Sequence, residues 1–455
     1  MRTVSLATVA EWTGGALLQG VPSMQVTSMT TDSRAVKPGD LFVALKGERL
    51  DAHRFLSEVA AAGAAAVVVS SLPAGTEAFE CGVIRVRDTL KALQDLAYRH
   101  RKVSDDLFVV GITGSNGKTS TKDFLSAVLS AGGQVNRTAG NLNNHIGLPL
   151  TILSGSEGDR FGVWEMGMNH PGEIEVLAEI ARPDAAVITN IGRAHIEYMG
   201  TREAIAAEKS QLPASVPASG YCVMPAADEF YDFVANSVRC EMIPVGIESG
   251  IVRAESLRAG ADGRMLFNLV SEYGEASSVA LPVRGEHMVV NALLAAAVGL
   301  RQGIASTAVA AALSGVQLTL GRLQERNVNG IAFLDDSYNA NPDSMFAALR
   351  TLRAAEVTGR RVAVLGFMGE LGAHEEAEHL LLGERVAEQG VDALITVGER
   401  AAKINGTAAA LTENHNFDTH EAAAAFLRRY LAPGDLVLVK GSRSAGMERV
   451  ITSLS

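Results

Sequence analysis

Ten residues, Gly111-Ile112-Thr113-Gly114-Ser115-Asn116-Gly117-Lys118-Thr119-Ser120, constrain the fold of this chain more than any other stretch. Before them runs the apolar segment Leu107–Val110; after them Phe124, Leu125, Val128 and Leu129 recur at helical spacing. Strand, glycine-rich turn and helix form the context in which backbone amides cradle a phosphate. Gly114 and Gly117 let the main chain approach an anion, and the amides opening a helix point at it. Gly111, Thr113, Ser115, Asn116 and Ser120 complete the loop. Lys118 is then expected on the terminal phosphates and the Thr119 hydroxyl on Mg2+. Without the Lys-Thr pair, the run would read as an ordinary turn.

The chain has 455 residues, too many for one ordinary core, and its length suggests about three domains. Hydrophobic residues make up 47% and charged residues 20%, a globular balance. A formal charge of −11 speaks against a general nucleic-acid binder. Cys81, Cys222 and Cys240 are scattered and show neither zinc spacing nor a disulfide framework, which fits a reducing cytosol. Glu11 interrupts the first apolar stretch, so no signal peptide is expected, and Val59–Val69 is too short to span a bilayer. The expectation is a cytoplasmic monomer without membrane insertion.

The polar run Arg101–Asp106 suggests a first boundary, giving domains over 1–105, 106–318 and 319–455. Strands alternating with helices from about 107 to 318 argue for a mostly parallel sheet. Ala185–Thr189, Arg361–Leu365, Ala393–Val397 and Leu436–Val439 read as buried strands. The alanine clusters at 60–66, 295–297 and 422–425 read as tight helix packing.

Several polar residues follow strand ends, where ligands of such sheets gather. Glu165 closes the apolar run Phe161–Met166, and His195 follows Thr189-Asn190-Ile191-Gly192-Arg193-Ala194. Alone, either could be a solvated strand-end residue. Lys209 sits in a helical stretch, Thr201–Leu212, where a lysine is ordinarily a solvated charge. Asn143 and Asn144 lie in Gly140–Pro149, a loop whose amides could fix a peptide or sugar. Lys440, Ser442 and Arg443 offer a cationic, hydroxyl-bearing loop suited to a carboxylate.

The common phosphate loop has glycine where this chain has Ile112. The form Gly-x-Thr-Gly-Ser-Asn-Gly-Lys-Thr resembles instead the Mur ligase family, which includes the folylpolyglutamate synthetases. The resemblance continues in order along nearly the whole chain: Gly140–Pro149, Gly285–Ala295, Gly321–Gln324, Asp335–Met345, Val364–Gly372 and Val439–Met447. Phe367 departs from it, standing where the family usually has aspartate. At the front, Thr31–Arg34 and Val36–Gly47 resemble a uridine-diphosphate-binding domain. The run Asp335-Asp336-Ser337-Tyr338-Asn339-Ala340-Asn341-Pro342 points to the branch that acts on UDP-N-acetylmuramoyl-tripeptide and D-alanyl-D-alanine.

This resemblance implies an α/β protein of three domains. They are a small N-terminal UDP-binding domain, a central P-loop ATPase domain and a Rossmann-like C-terminal domain for the amino acceptor. It implies ATP and Mg2+ as cofactors, with Thr119, Glu165, His195 and a carbamylated Lys209 arranging the metal. Asn291 is implied at the adenine, Arg322 at the phosphates and Asp336 at the ribose. Asn143 and Asn144 are implied as substrate-loop residues, Asn339 and Asn341 at the dipeptide side, and Ser33, Arg34 and Lys46 at the UDP-sugar. The implied reaction is ATP-dependent amide formation through an acyl phosphate. Another single-residue-adding member of the family, a folylpolyglutamate synthetase, and a P-loop ATP switch stay open as alternatives.

Overall fold

The computed structural model describes residues 1–72, 79–261, 263–408 and 413–454. The first domain holds a five-stranded sheet in the order Ala16–Gln19, Gly82–Arg85, Ala66–Val69, Leu41–Val43, Met29–Thr30. Its first pair is antiparallel and the others are parallel. Ala66–Val69 is fully buried, as a β-branched run covered on both faces must be. The alanine cluster at 60–66 is thus split: helix Leu56–Ala61 ends within it and Ala66 begins a strand. A short chain reversal, not helix packing, explains its small residues.

Helix Thr89–Lys102 starts where the Asp88 carboxylate accepts the Leu90 and Lys91 amides. It packs against helices Gly147–Leu153 and Glu173–Ala181 of the next domain. Arg101, read from sequence as part of a polar boundary, is buried there. Its guanidinium donates to Ala181 O (3.1 Å), Arg182 O (3.1 Å) and the Asp184 carboxylate (2.9 Å). The end of this helix is therefore a dock between domains.

The central sheet has nine strands: Gly274–Leu281, Met265–Ser271, Val252–Ala259, Glu241–Ile247, Tyr221–Pro225, Ala185–Ile188, Phe108–Thr113, Asp159–Glu165, Gln134–Arg137. From Val252–Ala259 to Gln134–Arg137 every pairing is parallel. The last two pairings, within 252–281, are antiparallel. The strand–helix alternation expected up to residue 318 fails here. Phe267 and Leu269 are buried while Asn268 is exposed, a period-two signal, and Gly274 opens the returning strand. Helix Glu286–Arg301 lies along helix Lys118–Ser130. Ala295–Ala297 are fully buried, and a Cβ on Gly299 would stand 2.2 Å from Val128 Cγ1. The small residues let the two helices close on one another.

The third domain has a six-stranded sheet ordered Gln324–Val328, Ile331–Asp336, Leu436–Lys440, Arg361–Leu365, Ala393–Val397, Glu413–Phe417. Only its first pairing is antiparallel. Among the described residues no helix is long and apolar enough to cross a membrane, and all three cysteines are buried and free.

Phe108–Thr113 lies between Ala185–Ile188 and Asp159–Glu165, which the chain reaches in opposite directions across the sheet. Such a switch point opens a crevice at the carboxyl ends of the strands. The third domain faces that crevice, and together they enclose a cleft of about 1180 Å³.

Candidate active site

The loop Gly114–Gly117 is shaped by its glycines. Gly114 has φ +149° and Gly117, the residue capping helix Lys118–Ser130, has φ +78°. A Cβ on Gly114 would fall 1.8 Å from Thr189 Oγ1, and one on Gly117 would fall 2.7 Å from Asn291 Oδ1. The segment after Ala185–Ile188 latches the loop from the side. Ser115 N donates to Asn190 O (3.0 Å), Asn116 N to Asn190 Oδ1 (3.0 Å), and Gly192 N to Ser115 Oγ (2.9 Å). Gly111 lies inside its strand against Leu212 and Met166, and Thr113 is buried at the strand end; neither lines the cleft.

Lys118 Nζ donates to Gly114 O (2.7 Å), curling back over the loop. Burial lowers its pKa and the Arg322 charge adds to this, while Glu165 opposes. Thr119 Oγ1 donates to Glu165 Oε2 (3.1 Å) and accepts from Arg322 Nη2 (3.3 Å). Asn143 Nδ2 donates to Glu165 Oε1 (2.8 Å), and Thr138 Oγ1 accepts the Glu165 amide (2.9 Å). Asn143 therefore steadies the carboxylate. Asn144 is engaged locally, its side chain accepting the Ile146 and Gly147 amides at the start of a helix.

Lys209 is buried in helix Arg202–Ala214, beside the cleft rather than lining it. Burial takes its pKa well below the usual lysine value; Lys118 adds to this and Glu208 opposes. His195 is left-handed (φ +64°), with Nδ1 2.7 Å from Glu370 Oε2 of the third domain. Burial lowers its pKa against the pull of Glu370.

From the third domain, Asn341 caps helix Pro342–Ala354, and its Nδ2 donates to Asn116 Oδ1 (2.7 Å). Asp343 Oδ2 accepts the Arg193 amide (2.8 Å), and Arg193 Nη1 donates to Glu378 (2.6 Å). The Arg322 guanidinium lies 4.1 Å from the Tyr338 ring centre. Asp336 accepts the Leu323 amide and pairs with Lys440, whose Nζ is 2.5 Å from its Oδ2 and also donates to Asn339 O (2.9 Å). The Lys440 charge is thus already partnered. Asn339 Oδ1 accepts the Arg443 amide, Arg443 Nη1 reaches Glu448, and Ser442 Oγ faces Ser444 Oγ. Phe367, the departure noted above, supports the Arg400 guanidinium 3.8 Å from its ring centre.

The cleft gathers Ser115 to Ser120, Asn143, Asn144, Glu165, His195, Asn291, Arg322, Asp336, Asn339, Asn341, Lys440, Ser442 and Arg443. It does not include Ser33, Arg34 or Lys46. Arg34 pairs with Asp32, holding that carboxyl down to about 2, and the Lys46 main chain forms an isolated antiparallel β-bridge with Asp51. Sequence reasoning missed Lys122, buried with Nζ 4.0 Å from Glu165, although it lies one helical turn after Lys118. It also missed Thr138, Asn190 and Glu370. Glu370 stood inside a quoted motif, but nothing local distinguishes it from a surface acid.

Among the described residues no cluster of three or more His, Cys, Asp or Glu side chains forms. The donors present are a hydroxyl, a buried carboxylate and an imidazole beside a phosphate cradle. This sparse, oxygen-rich set suits Mg2+, which keeps several waters and shares its shell with phosphates.

Three family models match successive stretches of the chain. The Mur ligase family, catalytic domain matches residues 25–101, the Mur ligase middle domain 112–299, and the Mur ligase, glutamate ligase domain 321–443. The UDP-N-acetylmuramoyl-tripeptide--D-alanyl-D-alanine ligase of Bacillus subtilis is 36% identical over 98% of this chain and 97% of its own length. A crystal structure of MurF from Acinetobacter baumannii superposes with a TM-score of 0.91 at 32% identity, covering 100% of this chain and 99% of that one. MurF ligase from Thermotoga maritima in complex with ADP gives 0.84 at 29% identity, covering 94% and 97%. With three Mur ligase models matched in order along the chain and relatives similar over nearly its whole length, the chain belongs to the Mur ligase family.

Proposed function

We propose that this chain is an ATP-dependent ligase joining D-alanyl-D-alanine to UDP-N-acetylmuramoyl-tripeptide, giving the pentapeptide, ADP and phosphate for peptidoglycan synthesis. The observation that carries the reading is similarity to enzymes bearing that name over 98–100% of this chain and 97–99% of their own lengths. Domains over 1–105, 106–318 and 319–455 would hold the UDP-sugar, the nucleotide and the acceptor. Ser33, Arg34 and Lys46 would anchor the UDP end outside the cleft, leaving the terminal carboxylate to enter it. We place the enzyme in the cytoplasm as a monomer.

A carboxylate is a poor acyl donor because its leaving oxygen is strongly basic. In the proposed sequence its oxygen attacks the γ-phosphorus of ATP, ADP departs, and an acyl phosphate forms. The dipeptide nitrogen then attacks the carbonyl carbon, the C–O bond to phosphate breaks, and the amine proton is released. Amides of Gly114–Lys118 and the Lys118 ammonium would hold the phosphates as charge moves onto the leaving oxygen. Arg322, stacked on Tyr338, would reach the same phosphates from the third domain. Asp336 would meet the ribose, and Asn291, packed on Gly117, the base. Thr119, Glu165 and His195 would hold Mg2+, which when bound offsets phosphate charge. Burial lowers the Lys209 pKa and so favours the unprotonated amine, the form that would add CO2: its nitrogen would bond to carbon, a proton would leave, and an anionic carbamate would result. Asn339, Asn341, Ser442 and Arg443 would line the dipeptide side.

The test is phosphate release with ATP, Mg2+ and the UDP-linked tripeptide, with and without D-alanyl-D-alanine. Release requiring both substrates, with a UDP-linked pentapeptide by mass, is expected. Turnover indifferent to any amino acceptor would reject the ligase in favour of an ATP switch.

A further inference from the structure

His195 and Glu370 meet across the seam between two domains, and both ends are held in unusual backbone. His195 has φ +64° and Glu370 φ +60°, conformations that side-chain-bearing residues adopt at a cost. Glu370 Oε2 lies 2.7 Å from His195 Nδ1, an ion-pair contact outside hydrogen-bond geometry. The buried Nδ1 thus has no hydrogen-bond partner among the described residues, and the carboxylate stands close enough to become one on a small ring rotation. The Glu370 carbonyl also accepts the Glu197 amide (3.4 Å).

The loop carrying Glu370 is pinned on its own side. Met368 and Leu371, flanking it, are buried in the third-domain core. His379 Nε2 accepts the Met368 amide (2.9 Å), and His379 Nδ1 lies 2.6 Å from Glu375 O. The Glu370 side chain is half exposed, so packing alone does not require a carboxylate here. What the carboxylate reaches is the Nδ1 edge of an imidazole that lines the cleft. A proton on Nδ1 facing Glu370 leaves the Nε2 lone pair for the cleft.

We propose that Glu370 is the positioning residue of His195, supplied by the third domain so that closure itself aims the imidazole into the cleft. The proposal rests on reading the cleft as a magnesium–nucleotide site. Carboxylates that orient a ligating histidine in this way typically change metal affinity or activity by 10- to 100-fold when removed.

The experiment uses the full chain with ADP and Mn2+ as a paramagnetic substitute for Mg2+, free Mn2+ being followed by electron paramagnetic resonance. Melting temperatures verify that each variant is folded. Glu370→Ala is expected to weaken Mn2+ binding about tenfold or more. Glu370→Gln, whose carbonyl can still accept from Nδ1, is expected to recover most of the loss. His195→Ala is expected to match Glu370→Ala, and the double variant to be no weaker than His195→Ala alone. Unchanged Mn2+ affinity in Glu370→Ala would overturn the proposal, as would losses that multiply in the double variant. Both results leave the nucleotide site standing if wild-type protein binds Mn2+ and ADP. Failure of wild-type protein to bind them would remove that reading and this proposal with it.

Discussion

Replacing Gly114 with alanine tests the phosphate cradle at its tightest point. At φ +149° the backbone lies where only glycine rests easily, and the strain is about 1–3 kcal/mol. The new Cβ would stand 1.8 Å from Thr189 Oγ1, 3.0 Å from its Cβ and 3.1 Å from its amide nitrogen. Rotating Thr189 relieves the first contact only. It also breaks the hydrogen bond from Thr189 Oγ1 to Asn116 O, worth about 1 kcal/mol. Together these give about 2–4 kcal/mol, concentrated in the loop that must meet the phosphates. Expressed in affinity, this is a loss of about 30-fold to several hundredfold. Calorimetric titration with ADP and Mg2+ measures it directly. Gly390→Ala is the control: φ is +66°, nothing lies within 4 Å, and it sits far along the third domain. It should lower the melting temperature without changing ADP affinity. ADP binding by Gly114→Ala within about twofold of wild type, or an equal loss in Gly390→Ala, would refute a steric demand for glycine in the phosphate cradle.

Lys118→Ala should abolish phosphate release while leaving the circular dichroism spectrum unchanged; near-normal turnover would remove this lysine from the phosphates. Lys209→Ala should be inactive and partly restored by short carboxylic acids, because they return an anionic oxygen to the vacated space; full activity without additive would exclude the carbamate. His100 is buried, accepts the Arg2 amide, and is pushed down to about 4 by burial, so it is neutral in the fold. Unfolded, it takes up a proton near pH 6.5, so stability should fall as pH drops from about 6.5 towards 4, by up to about 1.4 kcal/mol per pH unit. Urea titrations from pH 7 to 5 should show a shallower acid loss in His100→Gln; identical slopes would refute the assignment.

The phosphate loop was legible because its demands are local: positive φ at Gly114 and Gly117, a strand before them and a helix after. Glu165 and His195 were legible because strand ends at a switch point are where such residues converge. The seam was not. Asn341 meets Asn116, Arg322 meets Thr119 and Glu370 meets His195 across roughly 175 to 225 positions, and no periodicity encodes which loops will face each other. Asn143 and Lys440 were read by chemical type as groups free for substrate. Their partners, Glu165 and Asp336, come from other strands and were invisible locally. The antiparallel strands within 252–281 were encoded in alternation but hidden by the expectation of a helix after each strand.

The segment Thr189–His195 touches the phosphate loop on one side and Asp343, Glu378 and Glu370 on the other. A strip of chain shared in this way makes the two events it borders thermodynamically reciprocal. Whatever factor nucleotide contributes to closing the third domain, closure returns the same factor to nucleotide affinity. A residue such as Glu378, which lines no part of the phosphate cradle, therefore acquires a measurable place in how tightly the chain holds ADP.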